Sequence, residues 1–538
     1  MAELSQSTKN VISKYALWKN YLNPKQGVAT IHVDEVALKV AAFYEKIRTI
    51  IDWKEEHLMR RAAIIRKIKR RFFDLELNNS SNENMGEALV LELIRGGYFP
   101  NDKIEESKIT DVQKIIEKYT FILQNSPKDD KKVKDSQNKI LEIASCEIEE
   151  TLYPSIKEMA LIDYMFDKMQ ERIKVNDGVY ERGFLKEEEK DIQIYIAVQQ
   201  SLFKFDDPII IYNLLKYKYP KWNNPTEEEL LKIAQNIYKM LGNIEDELSL
   251  PIGKKFYAIC EKYDTPYLLF GDILSSGDIE KISGEIKEPE VLEKYVKEAY
   301  SKRLKNLKTK IKRAAIYSTV SIFITKILSL LIIEIILSKI LRGNLSIVSI
   351  LADILIPTLL MAVLIITIRP PSVKNINLAV IETMKITYDK EKIDTYEIKL
   401  SRKKGVITRF ILSLIYLIGA IISFGAIYWV FNYFAFPISS IIINIIFIAL
   451  ILFAGTAIRT RSKELTIEDD SGGVLGFVYD ILLLPITGVG QWIFNKWKQY
   501  NAVVVFFNVL IDMPFSAFLE FLEIWRYFIK EKKEDLRQ

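Results

Sequence analysis

The sequence predicts an all-α protein: a multi-pass helical membrane protein with a large N-terminal, helical, coiled-coil-like cytoplasmic domain. Three observations predict it. Phe410 to Ile458 holds no charged residue, a run too long for one span and right for two, since crossing ~30 Å of hydrocarbon at ~1.5 Å per residue takes roughly 20 apolar residues. A second apolar region, Ala314 to Ile368, has the same two-span length and is broken near Arg342 and Gly343. Before Arg313 the apolar residues recur at helical spacing and strand-like alternation is scarce.

Composition adds bounds. The 538 residues are 49 % hydrophobic and 27 % charged, an average that conceals a division, because most charge precedes Arg313 and most unbroken apolar sequence follows it. A net charge of +5 is modest for this length, so no nucleic-acid partner is expected. Cys146 and Cys260 lack the paired spacing of a zinc or redox site and read as buried thiols. The amino terminus is polar and the first apolar run comes late, so no secretory signal is expected.

Residues 1–30, with Pro24 and Gly27, show no clear periodicity and are expected to be poorly ordered. A long-helix cytoplasmic subdomain follows over 31–125. Val33, Val36, Val40, Phe43, Ile47 and Ile50, and then Leu58, Ile65, Ile68 and Phe72, form an a/d seam from Ile31 to Phe73. Its stretch Arg60 to Arg71 has seven basic residues and no acid, a charge run best explained by pairing with acidic helices. Shorter helices are expected at Met85 to Ile94 and Asp111 to Leu123.

The polar stretch Asn125 to Lys139 marks a soft boundary, and a second helical cytoplasmic subdomain spans 126–288. Its helical segments are expected over Asn138 to Lys174, Lys186 to Phe205 and Asp207 to Tyr217. Thr226 followed by Glu229 is a capping box for a helix running to about Leu241.

A basic helical stalk, 289–313, starts at Pro289 and carries the stripe Leu292, Val296, Tyr300, Leu304, Leu307 and Ile311. It ends in Lys302, Arg303, Lys305, Lys308, Lys310, Lys312 and Arg313, without an acid. Such a cluster marks the cytoplasmic side, and its side chains are the candidates for contact with anionic lipid head groups. Transmembrane hairpin 1 (314–368), a cytoplasmic basic loop (369–409) and transmembrane hairpin 2 (410–458) follow. The loop holds ten basic and five acidic residues, and Arg459, Arg461 and Lys463 close the second hairpin. Four spans with both ends inside satisfy this pattern, and the plasma membrane is the expected location.

The C-terminal module, 459–538, is apolar but interrupted. Gly473 to Ile493 contains Asp480, Pro485, Gly488 and Gly490, and Val503 to Phe528 contains Asn508, Asp512, Pro514, Glu520 and Glu523. Both segments read as re-entrant or interfacial, with Trp492, Trp497, Trp525 and Tyr527 as interfacial anchors.

Catalytic, cofactor-binding and metal-binding patterns are missing: no phosphate loop, dinucleotide fingerprint, nucleophile elbow or HExxH occurs. His32 and His57 stand too far apart along one segment to form a local metal pair. The chemically pointed feature is intramembrane charge. Lys326 falls near the middle of the first span, Glu334 eight residues on and Asp353 early in the second, and an unpaired charge there costs on the order of 3 kcal/mol or more. By rise alone Lys326 and Asp353 differ by less than ~10 Å in depth, within reach of a lysine stem.

These residues either fix the hairpin as a salt bridge or belong to an ion path, and the first explanation is preferred because the second hairpin carries no charge. The leading function is accordingly a membrane-anchored interaction or scaffolding protein, with a protein partner or a homo-oligomer. An ion or small-solute channel or transporter using Lys326, Glu334 and Asp353 is the alternative. A membrane-interface enzyme acting on lipids, with Asp480 and Asp512 as its only candidates, is third.

Overall fold

The computed structural model describes residues 2–22, 27–33, 60–69, 84–127, 133–336, 347–368, 371, 374–389, 394–399, 405–467, 474–500 and 525. Most of the expected a/d seam, 34–59 and 70–73, lies outside the described residues, as do His57, Asp512 and Tyr527, and so do the side chains of Asp480 and Trp497. The chain forms two compact units, one built on Ser7–Glu261 with Asp394–Ile398, the other on Met1–Gln6, Lys262–Ile393 and Lys399–Ala502.

The first unit begins with a correction. Residues 6–22 form helix α1 (Gln6–Leu22) where little order was expected, because Val11, Ile12 and Tyr15 make a narrow buried stripe and the Thr8 hydroxyl meets the Tyr164 hydroxyl at 3.0 Å. The polar residues around that stripe hid it. Ile31 to Val33 are likewise not helical: the Asn101 side chain accepts from the Val33 amide and donates to its carbonyl, taking the place of helical partners. The described part of the basic segment, 60–69, is helical. Arg60 pairs with Glu149 at 2.9 Å, Arg61 with Asp206 at 2.6 Å and Lys67 with Glu92 at 3.5 Å.

Helices α2 (Met85–Arg95), α3 (Ser107–Asn125), α4 (Val133–Leu152) and α5 (Ile156–Arg172) follow. Pro154 separates the last two, as its missing N–H and the restraint on the residue before it require. Then come strand β1 (Ile173–Val175) and helices α6 (Asp177–Glu181), α7 (Glu189–Phe203), α8 (Asp207–Lys218), α9 (Glu227–Ser249) and α10 (Gly253–Lys262). The capping box forms at α9, with Thr226 accepting from the Glu229 amide and Glu229 accepting from the Thr226 amide. This saves two first-turn donors from being left without a partner. Strand β2 (Tyr396–Ile398) pairs in parallel with β1, the one two-stranded sheet among the described residues.

The second unit contains α11 (Asp264–Ser276), α12 (Ile279–Glu285) and α13 (Pro289–Ser329), the last continued by a π-helical turn, Leu330–Glu334. Stalk and first span are therefore one helix. Its stripe behaves as spaced: Leu292, Val296, Tyr300 and Leu307 are buried, where α13 packs on α11 and α15 (Lys374–Thr387). Helices α14 (Ile347–Ile366), α16 (Val406–Tyr433) and α17 (Ile438–Ser462) complete the apolar set. The first span with its stalk and these three are the four described helices long and apolar enough to cross a membrane.

The segment expected to be re-entrant or interfacial, 473–493, is from Val474 onward part of one helix of 27 residues, α18 (Val474–Tyr500), packed along α16 and α17. Small residues permit this, since close helix approach needs a missing side chain. A Cβ on Gly490 would stand 2.1 Å from the Ala449 carbonyl oxygen, and one on Gly419 would stand 3.0 Å from that of Ile481. Pro485 lies inside α18 and cannot donate to the preceding turn; beside it the Ser423 hydroxyl donates to the Leu482 carbonyl at 2.6 Å.

Candidate functional site: a buried charge cluster among the apolar helices

The three charged residues expected within the spans meet. Lys326 Nζ lies 2.6 Å from Glu334 Oε1 and 2.9 Å from Asp353 Oδ1, and the three residues are 0, 1 and 1 % exposed. Local structure explains the first contact. In a regular α-helix a step of eight residues overshoots two turns by ~80°, which would turn Glu334 away from Lys326. The π-helical turn at Leu330–Glu334 accommodates one more residue per turn and removes most of that excess. Glutamate then returns to the lysine's face and leans back towards it, as helical side chains do.

Helix α17 supplies what sequence reasoning missed. Asn444 is fully buried; its Nδ2 donates to Asp353 Oδ1 at 2.6 Å and to the Ser440 carbonyl at 2.9 Å. Both amide hydrogens are thereby used, which fixes Asn444 Oδ1 as an acceptor. Phe447 lays its ring 4.9 Å from Lys326 Nζ, a face that attracts the remaining ammonium hydrogen. The signal was present: Asn444 is an amide in an otherwise apolar span, and such a group seeks a partner across helices.

Three buried acceptor oxygens in this cluster, Glu334 Oε2, Asp353 Oδ2 and Asn444 Oδ1, receive no protein hydrogen bond, and Ser329 Oγ on the same face is also unpaired. Pro357, buried within α14, has no N–H to offer the Asp353 carbonyl four residues earlier. One ammonium faces two carboxylates, so the cluster is rich in both negative charge and acceptors.

The other candidates scatter. Of the basic residues ending the stalk, Arg303 is engaged with Asp272 of α11, its Nη2 donating at 2.9 Å, and is half-buried. Lys302, Lys305, Lys308, Lys310, Lys312 and Arg313 are exposed. Trp492 and Trp525 are exposed. His32 pairs with Asp102 at 2.9 Å. Among the described residues no group of three or more His, Cys, Asp or Glu is placed to hold a metal ion.

The first unit has its own buried polar network, in which Lys118 donates to Glu147 and to the Trp222 carbonyl, and Tyr119 donates to Glu147 at 2.8 Å. Desolvation pulls the Lys118 ammonium down and the Glu147 carboxyl up, yet both Glu147 oxygens are paired, so the network ties α3 to α4 as structure. Compared with protein families, curated proteins and solved structures, the chain matches none, and the role of the cluster rests on its geometry.

Proposed function

We propose that this is a polytopic plasma-membrane protein, with four spans and its N-terminal helical domain in the cytoplasm, that works as a membrane-anchored interaction protein. The observation that carries it is the outer surface of the four apolar helices. Ile316, Val320 and Ile324 of α13, Leu355 and Leu359 of α14, Ile411, Ile418 and Trp429 of α16, and Ile438 and Ile442 of α17 all stand exposed, far more contiguous apolar surface than water tolerates. At ~1.5 Å per residue, helices of 20 to 28 residues are ~30 to 42 Å long, enough to cross.

Contacts within the second unit support the even number of crossings. Tyr388 donates to the Ile286 carbonyl, Tyr300 and Thr265 to the carbonyls of Leu465 and Glu464, and the Ile467 amide to Asn375. The segments before span one, between spans two and three and after span four thus meet one another, as they must if both hairpins return to one side. These flanks are the basic ones, and the positive-inside bias supports the cytoplasm as that side. Purification of the full chain in mild detergent tests the interaction role: a stoichiometric protein partner or a homo-oligomer is expected, and a monomeric particle with nothing bound overturns it.

The second reading, passage of an ion, is favoured by the buried cluster of Lys326, Glu334, Asp353 and Asn444. Ion flux in proteoliposomes that disappears in Lys326→Leu supports it; unchanged flux removes these residues from any such path.

A further inference from the structure

We infer that Glu334, Asp353 and Asn444, beside Lys326, form a binding site for one alkali-metal cation. The inference goes beyond anchoring and requires only that the cluster be buried, as it is.

Charge comes first. The ionisable groups facing Glu334 are Lys326, eight residues earlier on the same helix, and Asp353 on α14; α17 contributes the uncharged Ser440, Asn444 and Phe447. One ammonium against two carboxylates leaves a formal charge of −1 among side chains that are almost wholly buried. An uncompensated buried charge is costly, and such sites recruit a counter-ion or a proton.

Hydrogen-bond supply comes second. Lys326 spends its donors on Glu334 Oε1, Asp353 Oδ1 and the Phe447 face, and Asn444 spends both of its own on Asp353 and Ser440. The Ser440 hydroxyl also serves the Glu334 carboxyl, yet Glu334 Oε2, Asp353 Oδ2 and Asn444 Oδ1 are left as acceptors, and Pro357 offers the Asp353 carbonyl no helical donor. These are hard oxygens of the kind that hold sodium or potassium rather than soft-metal ligands.

The occupants can be separated. Water supplies hydrogen bonds but leaves the charge. A proton on either carboxylate removes the charge but gives one donor to several acceptors. A divalent ion overshoots the charge by one. A monovalent cation closes the charge and is bonded by carboxylate and amide oxygens alike.

Binding of radioactive sodium to the full chain in detergent, with thermal unfolding in sodium, potassium and choline chlorides at one ionic strength, is the test. Saturable binding of one cation per chain and a higher unfolding midpoint in sodium or potassium than in choline are expected. Asn444→Ala keeps the charge and removes one oxygen, so it should weaken binding on the order of 10-fold or more. Glu334→Gln neutralises the cluster and should abolish the alkali-ion effect. Equal midpoints in all three salts, with no saturable sodium or potassium binding, overturn the inference. So does a midpoint that follows pH and ignores the alkali ion, which identifies a shared proton. These arms use the wild-type chain and remain decisive if a variant does not fold. Membrane partitioning is a separate measurement, so failure here leaves the anchoring proposal standing.

Discussion

Replacing Lys326 with methionine tests the electrostatics of the cluster by order and sign. The ammonium makes two contacts, 2.6 Å to Glu334 and 2.9 Å to Asp353, each worth about 6 kcal/mol of attraction at an effective dielectric of ~20. Dehydrating the ammonium offsets much of that, and removing one member of a buried pair typically costs about 3 to 5 kcal/mol because its partners stay buried and charged. Lys326→Met leaves two carboxylates facing each other and belongs at the upper end. Glu334→Gln, by contrast, takes the formal charge from −1 to zero while Asp353 keeps its lysine, so it should cost clearly less. The triple variant Lys326→Met, Glu334→Gln, Asp353→Asn should recover most of the loss. Equilibrium unfolding in mixed micelles, followed by tryptophan fluorescence without alkali ions, gives the three values. A Lys326→Met chain as stable as wild type, or a Glu334→Gln chain less stable than Lys326→Met, would refute the reasoning.

Three further outcomes follow from other parts of the molecule. Gly490→Ala should cost about 1 to 3 kcal/mol and loosen α18 from α17, because its Cβ would meet the Ala449 carbonyl, whereas Gly425→Ala, with nothing within 4 Å, should be close to neutral in the same assay. Burial pushes the Cys146 thiol up to about 12, with Arg61 opposing, so maleimide at pH 8 should label it only after denaturation; rapid native labelling contradicts its placement. Hydrogen bonds from Lys221 and from the Thr226 amide hold the Glu229 carboxyl down to about 2. Its folded value lies below the unfolded one, so its support for the start of α9 is complete above the ordinary carboxylate range and is lost as pH falls towards 2. Hydrogen exchange in that first turn should report the loss, and Lys221→Ala, which removes the largest contribution, should blunt it.

The parts that were legible from sequence are those in which one solvent dominates. Apolar runs of span length announce α14, α16 and α17, the first interrupted by Asp353 alone among charged residues, and the stripe from Leu292 to Leu307 announces the stalk, because a uniform surround or a packed face governs nearly every residue along them. Depth arithmetic brought Lys326 and Asp353 within reach, and they meet at 2.9 Å. Discrete exceptions to a pattern were not legible. The π-helical turn that aims Glu334 leaves no composition signal, Asn444 carries no charge to draw notice in an apolar run, and Gly490, which reads as an interruption, admits a neighbouring backbone. The β1–β2 pair joins three-residue strands more than 200 residues apart, beyond any local periodicity. Helix α1 hides in a polar segment whose apolar stripe is only three residues strong.

Separation of a cell lysate after alkaline carbonate extraction tests the central claim most directly, since that claim is that the helices beyond Arg313 have lipid as their solvent. The account predicts that the full-length chain stays with the membrane pellet and enters solution only with detergent. Recovery as a compact soluble particle in detergent-free buffer would contradict it.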